Sequence, residues 1–236
     1  MFEPATGLTL EEPTAVSVKS ARAWAFFDVD NTLIPGSAIE VRFARFLWQR
    51  GVLPMSAFTR SAWHLLTHMP PLSLHPLRQR KLYLEAQRPS VIEPLAEEFM
   101  RSDGRPRLSN LGLTALKRHQ DAGQCVVLLT GSLDFLIRPL AGDLGITHVC
   151  AAKPERQGDR YTGRLVDPLP YGPAKRRLME GLAKQHGVTL ADSYAYGDSP
   201  GDVESLQAVG HPQVVNPIRG MARIAKRHGW PVVSWK

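Results

Sequence analysis

The chain has 236 residues, of which 43% are hydrophobic and 22% charged, and its formal net charge is +7. This length suits one substantial α/β domain, with or without a smaller insertion, and it is short for two independent domains. The composition excludes a globally disordered chain and a fibrous repeat protein. The positive charge favours anionic partners, from phosphorylated metabolites to nucleic acids and acidic membrane surfaces, without choosing among them.

Targeting and partner signals are sparse along the chain. No apolar run approaches the ~20 residues of a membrane-spanning helix, and residues 1–14 lack the basic and apolar regions of a secretory signal. Cys125 and Cys150 lie in unrelated apolar stretches, so we expect no disulfide framework and predict a cytoplasmic location. Nucleic acid is not an expected partner, because zinc-finger and RNA-recognition motifs are missing. The sequence leaves the oligomeric state open.

The first part of the chain divides into a leader, a strand and a helical block. Residues 1–21 are rich in Pro, Thr, Glu and Ser without sustained periodicity, which predicts a mobile leader. Residues 24–28 are a short apolar run that ends in polar turn residues, which predicts a buried strand. Across residues 37–105 apolar residues recur at helical spacing and prolines separate short segments, so we predict an inserted α-helical cap.

From residue 106 onward, predicted helices and strands alternate. Helices are predicted at 109–122, 133–141, 173–186 and 201–208 and near the C-terminus; strands at 125–130, 147–151, 193–196, 213–215 and 231–234; and a small hairpin within 153–166. This alternation predicts an α/β fold: a Rossmann-like three-layer core with a parallel sheet, built from residues 22–36 and 106–236. Ligands of such sheets bind beyond the carboxyl ends of the strands, so residues that end strands are the candidates for chemistry.

Asp28 and Asp30 follow the first predicted strand. Residues two apart in an extended chain point to the same side, so these carboxylates would raise each other's pKa unless a cation intervened. Mg²⁺ prefers carboxylate and carbonyl oxygens, which makes the pair a candidate magnesium site. The alternative is that Asp28 to Asn31 form only a polar turn, because Asp and Asn favour turns.

Two further segments carry candidate anion-binding groups. Lys175 lies in the first turn of a predicted helix, where a cation opposes the helix macrodipole and a bound phosphate would resolve the conflict. An ordinary exposed lysine is the alternative. Thr130, Gly131 and Ser132 lie between a strand and a helix, so their hydroxyl and backbone N–H groups are candidates to hold an anion. Ser132 also suits the role of an ordinary helix N-cap.

Residues 197–202, Gly-Asp-Ser-Pro-Gly-Asp, admit three interpretations. One is a capping box with Ser199 as N-cap, Pro200 as the first helical residue and Asp202 as the third. Another is the Gly-x-Ser-x-Gly nucleophile elbow, whose oxyanion hole needs the N–H of the residue after the serine; Pro200 has none, so we reject it. In the third, Asp198 is a metal ligand that faces the first strand, and Asp202 supports it or adds a further ligand.

Taken in order, these segments resemble the four motifs of the haloacid dehalogenase superfamily, and most closely its phosphoserine-phosphatase-like branch, subfamily IB. The matching stretches are Asp28-Val-Asp-Asn-Thr-Leu33, Leu128-Leu-Thr-Gly-Ser132, Lys175 and Tyr196-Gly-Asp-Ser-Pro-Gly-Asp202. The helices predicted between the first two motifs are similar to the cap of that branch. The resemblance extends from about residue 23 to the C-terminus, and the order of the motifs makes it specific.

The resemblance implies a Mg²⁺-dependent phosphatase that forms an aspartyl-phosphate. Asp28 would attack phosphorus, and Asp30 would protonate the leaving alkoxide and then deprotonate the hydrolytic water. The side chain of Asp28, the backbone carbonyl of Asp30 and the side chain of Asp198 would hold Mg²⁺. Asp202 would orient Lys175 or a metal-bound water.

The resemblance also assigns the phosphoryl group to Thr130, the amide of Gly131 and Lys175. Independently of the family, a carboxylate is a competent nucleophile. Phosphoryl transfer requires mainly positioning and neutralisation of charge on the equatorial oxygens, which one Mg²⁺ and one lysine supply.

The substrate that the resemblance implies is a small phosphomonoester metabolite, phosphoserine-like or histidinol-phosphate-like. Phosphoserine phosphatases are expected to carry a glutamate shortly after the first motif, but here Ser37 aligns with it and the nearest acid is Glu40. Two alternatives remain: phosphotransfer to an acceptor other than water, and non-catalytic binding of a phosphorylated ligand or nucleic acid. His64 and His68 have a spacing that can bind zinc, but with no third ligand nearby an amphipathic helix flank is favoured.

Overall fold

The computed structural model describes residues 23–53 and 80–236, and a parallel six-stranded sheet lies at its centre. Its strands are β1 (Trp24–Phe27), β2 (Cys125–Leu133), β3 (His148–Ala152), β6 (Tyr194–Gly197), β7 (His211–Val215) and β8 (Val232–Val233). The strand order across the sheet is β3-β2-β1-β6-β7-β8, and each neighbouring pair is parallel. The predicted leader and the His64–His68 pair lie outside the described residues.

Helices cover both faces of this sheet. They are α1 (Ile39–Gln49), α2 (Pro89–Phe99), α3 (Asn110–Asp121), α4 (Asp134–Asp143), α5 (Pro173–His186), α6 (Val203–Gln207) and α7 (Met221–His228). In β1, Ala25 and Phe27 pack with residues of α3 and α4, whereas Trp24 and Phe26 pack with residues of α5, α6 and α7. Successive side chains of a strand point to opposite faces, so an uninterrupted apolar run is what a strand buried on both faces requires. The prediction of a Rossmann-like three-layer α/β core is confirmed.

The block between β1 and α3 contains only helical elements among its described residues. Besides α1 and α2 these are the 3₁₀ turns Leu82–Leu84 and Arg105–Arg107 and a π-helical turn, Met100–Gly104. No helix in the described part of the chain combines the length and apolarity needed to cross a bilayer. The division into a core of 22–36 and 106–236 and a cap of 37–105 stays a prediction.

The predicted hairpin is present, and it packs against the helical block rather than extending the central sheet. Its strands are β4 (Pro154–Gln157) and β5 (Arg160–Leu165), which pair antiparallel. The N–H of Lys81 donates to the carbonyl of Gly163 at 2.8 Å, and the N–H of Ala86 donates to the carbonyl of Tyr161 at 2.9 Å. A segment that follows β3 in sequence is thus hydrogen-bonded to the helical block that precedes β2.

Two local predictions are corrected by the structure. Strand β2 continues past Thr130 to Leu133, and Leu133 is the N-cap residue of α4, so the interpretation of Ser132 as that N-cap is wrong. The helix predicted at 201–208 begins instead as a 3₁₀ turn, Pro200–Asp202, and becomes α-helical only in α6. In both places a side chain near the start of the helix forms hydrogen bonds within the candidate site described below.

An aromatic cluster anchors the carboxyl end of β1. Phe27 is fully buried and stacks on Tyr196 with ring centroids 4.3 Å apart and planes inclined by 16°. His119 meets the edge of Phe27 at 5.8 Å, and its Nε2 lies 2.8 Å from the hydroxyl of Tyr196. Since Phe27 is the last residue of β1, this packing holds the position from which the next residue, Asp28, projects.

We expect acid to weaken the fold through His119. Burial lowers the pKa of His119, and its hydrogen bond with Gln124 opposes this shift only in part. The unfolded chain therefore takes up this proton at a higher pH than the folded chain does. The stability contributed by the neutral ring is present above about pH 6.5 and is lost as the pH falls through the lower pKa of the folded state.

The measurement is the change in melting temperature between about pH 7.5 and about pH 5.5, a range chosen to span the ordinary histidine pKa. His119→Gln should reduce this change, whereas His228→Gln, at an exposed position, should leave it as in the wild type. Equal slopes for His119→Gln and the wild type would show that His119 is not the responsible group.

Candidate active site

The candidate residues meet at the carboxyl edge of three adjacent strands. Asp28 follows β1 and Asp198 follows β6, which is paired with β1. Strand β2 lies on the other side of β1, and the register that pairs Phe27 with Leu128 places Thr130 and Gly131 just beyond Asp28. Parallel strands present their carboxyl ends at one edge, so residues far apart in sequence become neighbours there.

Lys175 is buried between two carboxylates. Its ammonium donates to Oδ1 of Asp28 at 2.7 Å and to Oδ1 of Asp202 at 2.5 Å, and the residue is only 4% exposed. The alternative of an ordinary exposed lysine is therefore wrong. The side chain starts from the first turn of α5, where its charge opposes the helix dipole, and the two carboxylates offset that repulsion.

Charge interactions keep Lys175 protonated. Burial by itself would lower the pKa of this lysine, but the carboxylates of Asp202 and Asp28 raise it above its ordinary value. Burial also raises the pKa of Asp28 well above the usual range, because the attraction of Lys175 does not compensate for lost hydration and for neighbouring carboxylates. An additional positive charge would stabilise the ionised form of Asp28.

The carboxylates of Asp28, Asp198 and Asp202 form a buried cluster whose ligand atoms lie within 4.8 Å of one another. Burial raises the pKa of Asp198 to about 6, and the charge of Asp202 adds to this effect. Three acidic groups thus face one lysine in a region with little water, a donor set that fits a hard divalent cation such as Mg²⁺. The side chain of Asp30 does not belong to this cluster.

Asp202 has two structural roles. Its Oδ2 accepts hydrogen bonds from the N–H and the hydroxyl of Ser199, at 3.1 and 3.0 Å, which completes the predicted capping box of the 3₁₀ turn. Its Oδ1 accepts from Lys175. Gly197 makes this position possible, since a Cβ at residue 197 would lie 2.4 Å from the Cβ of Asp202.

Asp30 lies in a tight turn and contacts elements on both sides of it. The N–H groups of Thr32 and Ile34 both donate to the carbonyl of Val29, which reverses the chain after β1. Oδ1 of Asp30 accepts from the N–H of Ile39 at the start of α1, and Oδ2 accepts from the hydroxyl of Ser132, each at 2.6 Å. Asp30 therefore connects the helical block to the core.

The residues assigned to phosphate binding lie beside this turn. Thr130 is fully buried, and its Oγ1 accepts a hydrogen bond from the N–H of Ser132 at 3.2 Å. At Gly131 a Cβ would make only ordinary contacts, the nearest being 3.6 Å from the carbonyl of Pro170. Local packing therefore does not explain a glycine at residue 131.

Sequence reasoning assigned no role to two buried asparagines at this edge, Asn31 and Asn216. The side-chain amide of Asn31 donates to Oδ2 of Asp198 at 2.8 Å. Asn216 follows β7 directly. Its place at a strand end, the same feature that identified Asp28 and Asp198, was the sequence signal that could have found it.

Glu40, the acid nearest to the expected glutamate position, forms contacts inside the helical block. Its carboxylate accepts from the ammonium of Lys81 at 2.5 Å and from the hydroxyl of Tyr83 at 3.0 Å. Lys81 is 2% exposed, so this ion pair is largely shielded from water.

Comparison with known proteins agrees with this architecture. Residues 25–207 match the haloacid dehalogenase-like hydrolase family. A histidinol-phosphatase of Neisseria meningitidis is 30% identical over 94% of this chain and 95% of its own length, and a phosphoserine phosphatase of Mycobacterium tuberculosis is 30% identical over 91% and 71%. A crystal structure of a protein of unknown function from Bordetella pertussis superposes with a TM-score of 0.79 at 30% identity, covering 92% of this chain and all of the other. The chain therefore belongs to the haloacid dehalogenase-like hydrolases and, within them, to the phosphatases related to phosphoserine phosphatase.

Proposed function

We propose that this protein is a Mg²⁺-dependent phosphatase that hydrolyses a small phosphomonoester metabolite through an aspartyl-phosphate on Asp28. The observation that carries this proposal is the buried group formed by Lys175 and the carboxylates of Asp28, Asp198 and Asp202. Burying so many charges costs stability, which indicates that the group is kept for a function. A metal ion complements the carboxylates, and a phosphoryl group complements the lysine.

In the first step, a carboxylate oxygen of Asp28 attacks phosphorus while the bond from phosphorus to the alkoxide oxygen breaks. Asp30 transfers a proton to that leaving oxygen. Lys175 and the Thr130–Gly131 segment neutralise and orient the oxygens of the moving phosphoryl group. Mg²⁺, held by Asp28, the backbone carbonyl of Asp30 and Asp198, would supply additional positive charge at these oxygens.

In the second step, Asp30 removes a proton from water as that water attacks the phosphorus of the aspartyl-phosphate. Phosphate leaves, and Asp28 is regenerated as a carboxylate. Both oxygens of Asp30 accept hydrogen bonds, from Ile39 and Ser132, and these two contacts hold its carboxyl group in one orientation.

The substrate we propose is phosphoserine-like or histidinol-phosphate-like, because relatives of this chain are named phosphoserine phosphatase and histidinol-phosphatase. Ser37 stands where a glutamate is expected for binding an amino group, and Glu40 is already bound by Lys81 and Tyr83. These contacts favour a substrate different from phosphoserine itself. We also propose a cytoplasmic location.

A panel of phosphorylated metabolites that includes phosphoserine and histidinol phosphate tests the proposal. We expect phosphate release that requires Mg²⁺ and stops on addition of EDTA. Adding alcohols and searching for phosphorylated alcohol distinguishes transfer to another acceptor. Absence of turnover across the panel, together with salt-sensitive binding of RNA or DNA, would instead identify a binding protein.

Asp28→Asn tests the nucleophile. An amide cannot attack phosphorus as a carboxylate does, so we expect hydrolysis of an aryl phosphate with Mg²⁺ to fall by a factor on the order of 10³ or more. Circular dichroism should show an intact fold. The matched control is Asp167→Asn, at an exposed position, which should retain activity. Full activity in Asp28→Asn would falsify the covalent mechanism.

Lys175→Met tests the charge balance. Removing the cation leaves buried carboxylates uncompensated, so we expect the metal-free protein to lose about 3–5 kcal/mol of unfolding free energy. Because Mg²⁺ replaces part of the lost charge, its addition should restore stability more in this variant than in the wild type. Urea unfolding with EDTA or with Mg²⁺ measures both effects.

The control for Lys175→Met is Lys184→Met, which changes an exposed lysine of the same helix and should have little effect. A Lys175→Met protein as stable as the wild type in EDTA would contradict the view that this lysine balances the acidic cluster.

A further inference from the structure

Two buried asparagines, Asn31 and Asn216, bind each other across the carboxyl edge of the sheet. The side-chain amide of Asn31 donates to the carbonyl of Asn216 at 2.9 Å, and that of Asn216 donates to the carbonyl of Asn31 at 2.8 Å. Both have left-handed backbones, with φ of 54° and 44°, a conformation that asparagine adopts more readily than most residues. The reciprocal bonds join the turn after β1 to the end of β7.

Asn31 transmits this arrangement to Asp198. Its amide nitrogen donates to Oδ2 of Asp198 at 2.8 Å as well as to Asn216, and its Oδ1 accepts from the N–H of Gly36 at 3.1 Å. Each hydrogen-bonding group of the Asn31 side chain therefore has a partner, which prevents the amide from rotating. A carboxylate held through one oxygen presents its other oxygen in a fixed direction.

Asn216 is held in turn by the C-terminal segment. Its Oδ1 accepts from the N–H of Trp235 at 2.8 Å, and its own N–H donates to the carbonyl of Val233 at 3.0 Å. Trp235 is 7% exposed, and its ring lies 5.4 Å from that of Tyr196. The hydroxyl of Ser109 donates to the carbonyl of Trp235 at 2.6 Å. The C-terminus is thus anchored on both sides of Trp235.

We propose that Asn216 is a positioning residue for the metal ligand Asp198, acting through Asn31, and that Trp235 sets the position of Asn216. The connection runs from the C-terminal segment to a carboxylate of the acidic cluster entirely through buried groups. The N–H of Ile218 also donates to the carbonyl of Asp198 at 2.9 Å, so the segment after β7 holds both the backbone and the side chain of this aspartate. This inference rests on the proposed Mg²⁺ site.

The test measures Mg²⁺ binding to metal-free protein by calorimetry, without substrate. Asn216→Ala removes the donor to Asn31 and the acceptor for Trp235. Groups that orient a metal ligand typically contribute about 10–100-fold in affinity, and we expect the Mg²⁺ dissociation constant to rise by that factor. Asn216→Asp is a second variant, for use if Asn216→Ala fails to fold. It keeps the acceptor for Trp235 but loses the amide donor to Asn31, so it should also weaken Mg²⁺ binding.

The matched control is Ser193→Ala, which removes a buried hydroxyl group at the opposite end of β6 from Asp198. The hydroxyl of Ser193 donates to the carbonyl of Thr189 at 2.8 Å and accepts from the N–H of Trp24 at 3.0 Å. Losing these two hydrogen bonds should lower the melting temperature of the Ser193→Ala protein. Because Ser193 precedes β6 and Asp198 follows it, the Mg²⁺ affinity of this variant should stay as in the wild type.

In activity assays, a high Mg²⁺ concentration should restore kcat in the Asn216 variants.

Two outcomes overturn the inference in distinguishable ways. If the wild type binds Mg²⁺ and the folded Asn216 variants bind it equally well, the asparagine pair is only structural, and the proposed function is unaffected. If the wild type shows no Mg²⁺ binding, the metal site of the proposed function is wrong, and the positioning role is lost with it.

Discussion

The ammonium of Lys175 lies between the carboxylates of Asp28 and Asp202, and the candidate site depends on this interaction. Buried charges are costly unless they are paired and hydrogen-bonded. Here one lysine is shared between two carboxylates while Asp198 lies close by. The capping box also holds Asp202, and an asparagine holds Asp198. This acidic excess is the feature on which the proposed divalent-cation site rests.

The turn after β1 is where the core, the helical block and the C-terminal segment meet. Asp30 accepts hydrogen bonds from the start of α1 and from β2, and the next residue, Asn31, contacts Asp198 and Asn216. A displacement of α1 would therefore act directly on the group that we propose as the acid and base. The hairpin formed by β4 and β5 also contacts the helical block, beyond this turn.

The sequence predicted the layers and the presence of each strand well, because both depend on local patterns. Apolar runs marked the buried strands, and the capping-box spacing of Ser199, Pro200 and Asp202 predicted the turn that the structure contains. The prediction for Ser132 failed because an N-cap is a local preference, whereas its hydroxyl bonds to Asp30, 102 residues away in sequence. An exposed lysine was an open alternative for Lys175 for the same reason: nothing near it in sequence indicates its partners.

By itself the sequence determined which residues end the parallel strands, and therefore which carboxylates share one edge of the sheet. That follows from strand geometry and needs no coordinates. Only the tertiary structure decided how these groups pair: Lys175 with Asp28 and Asp202, Asp30 with Ser132, and Asp198 with an asparagine held from the C-terminus. Three of these pairings, Lys175 with Asp28, Asp30 with Ser132 and Asp198 with Asn31, join residues more than a hundred positions apart. Their distances and directions are set by how whole helices and strands pack, which no local pattern encodes.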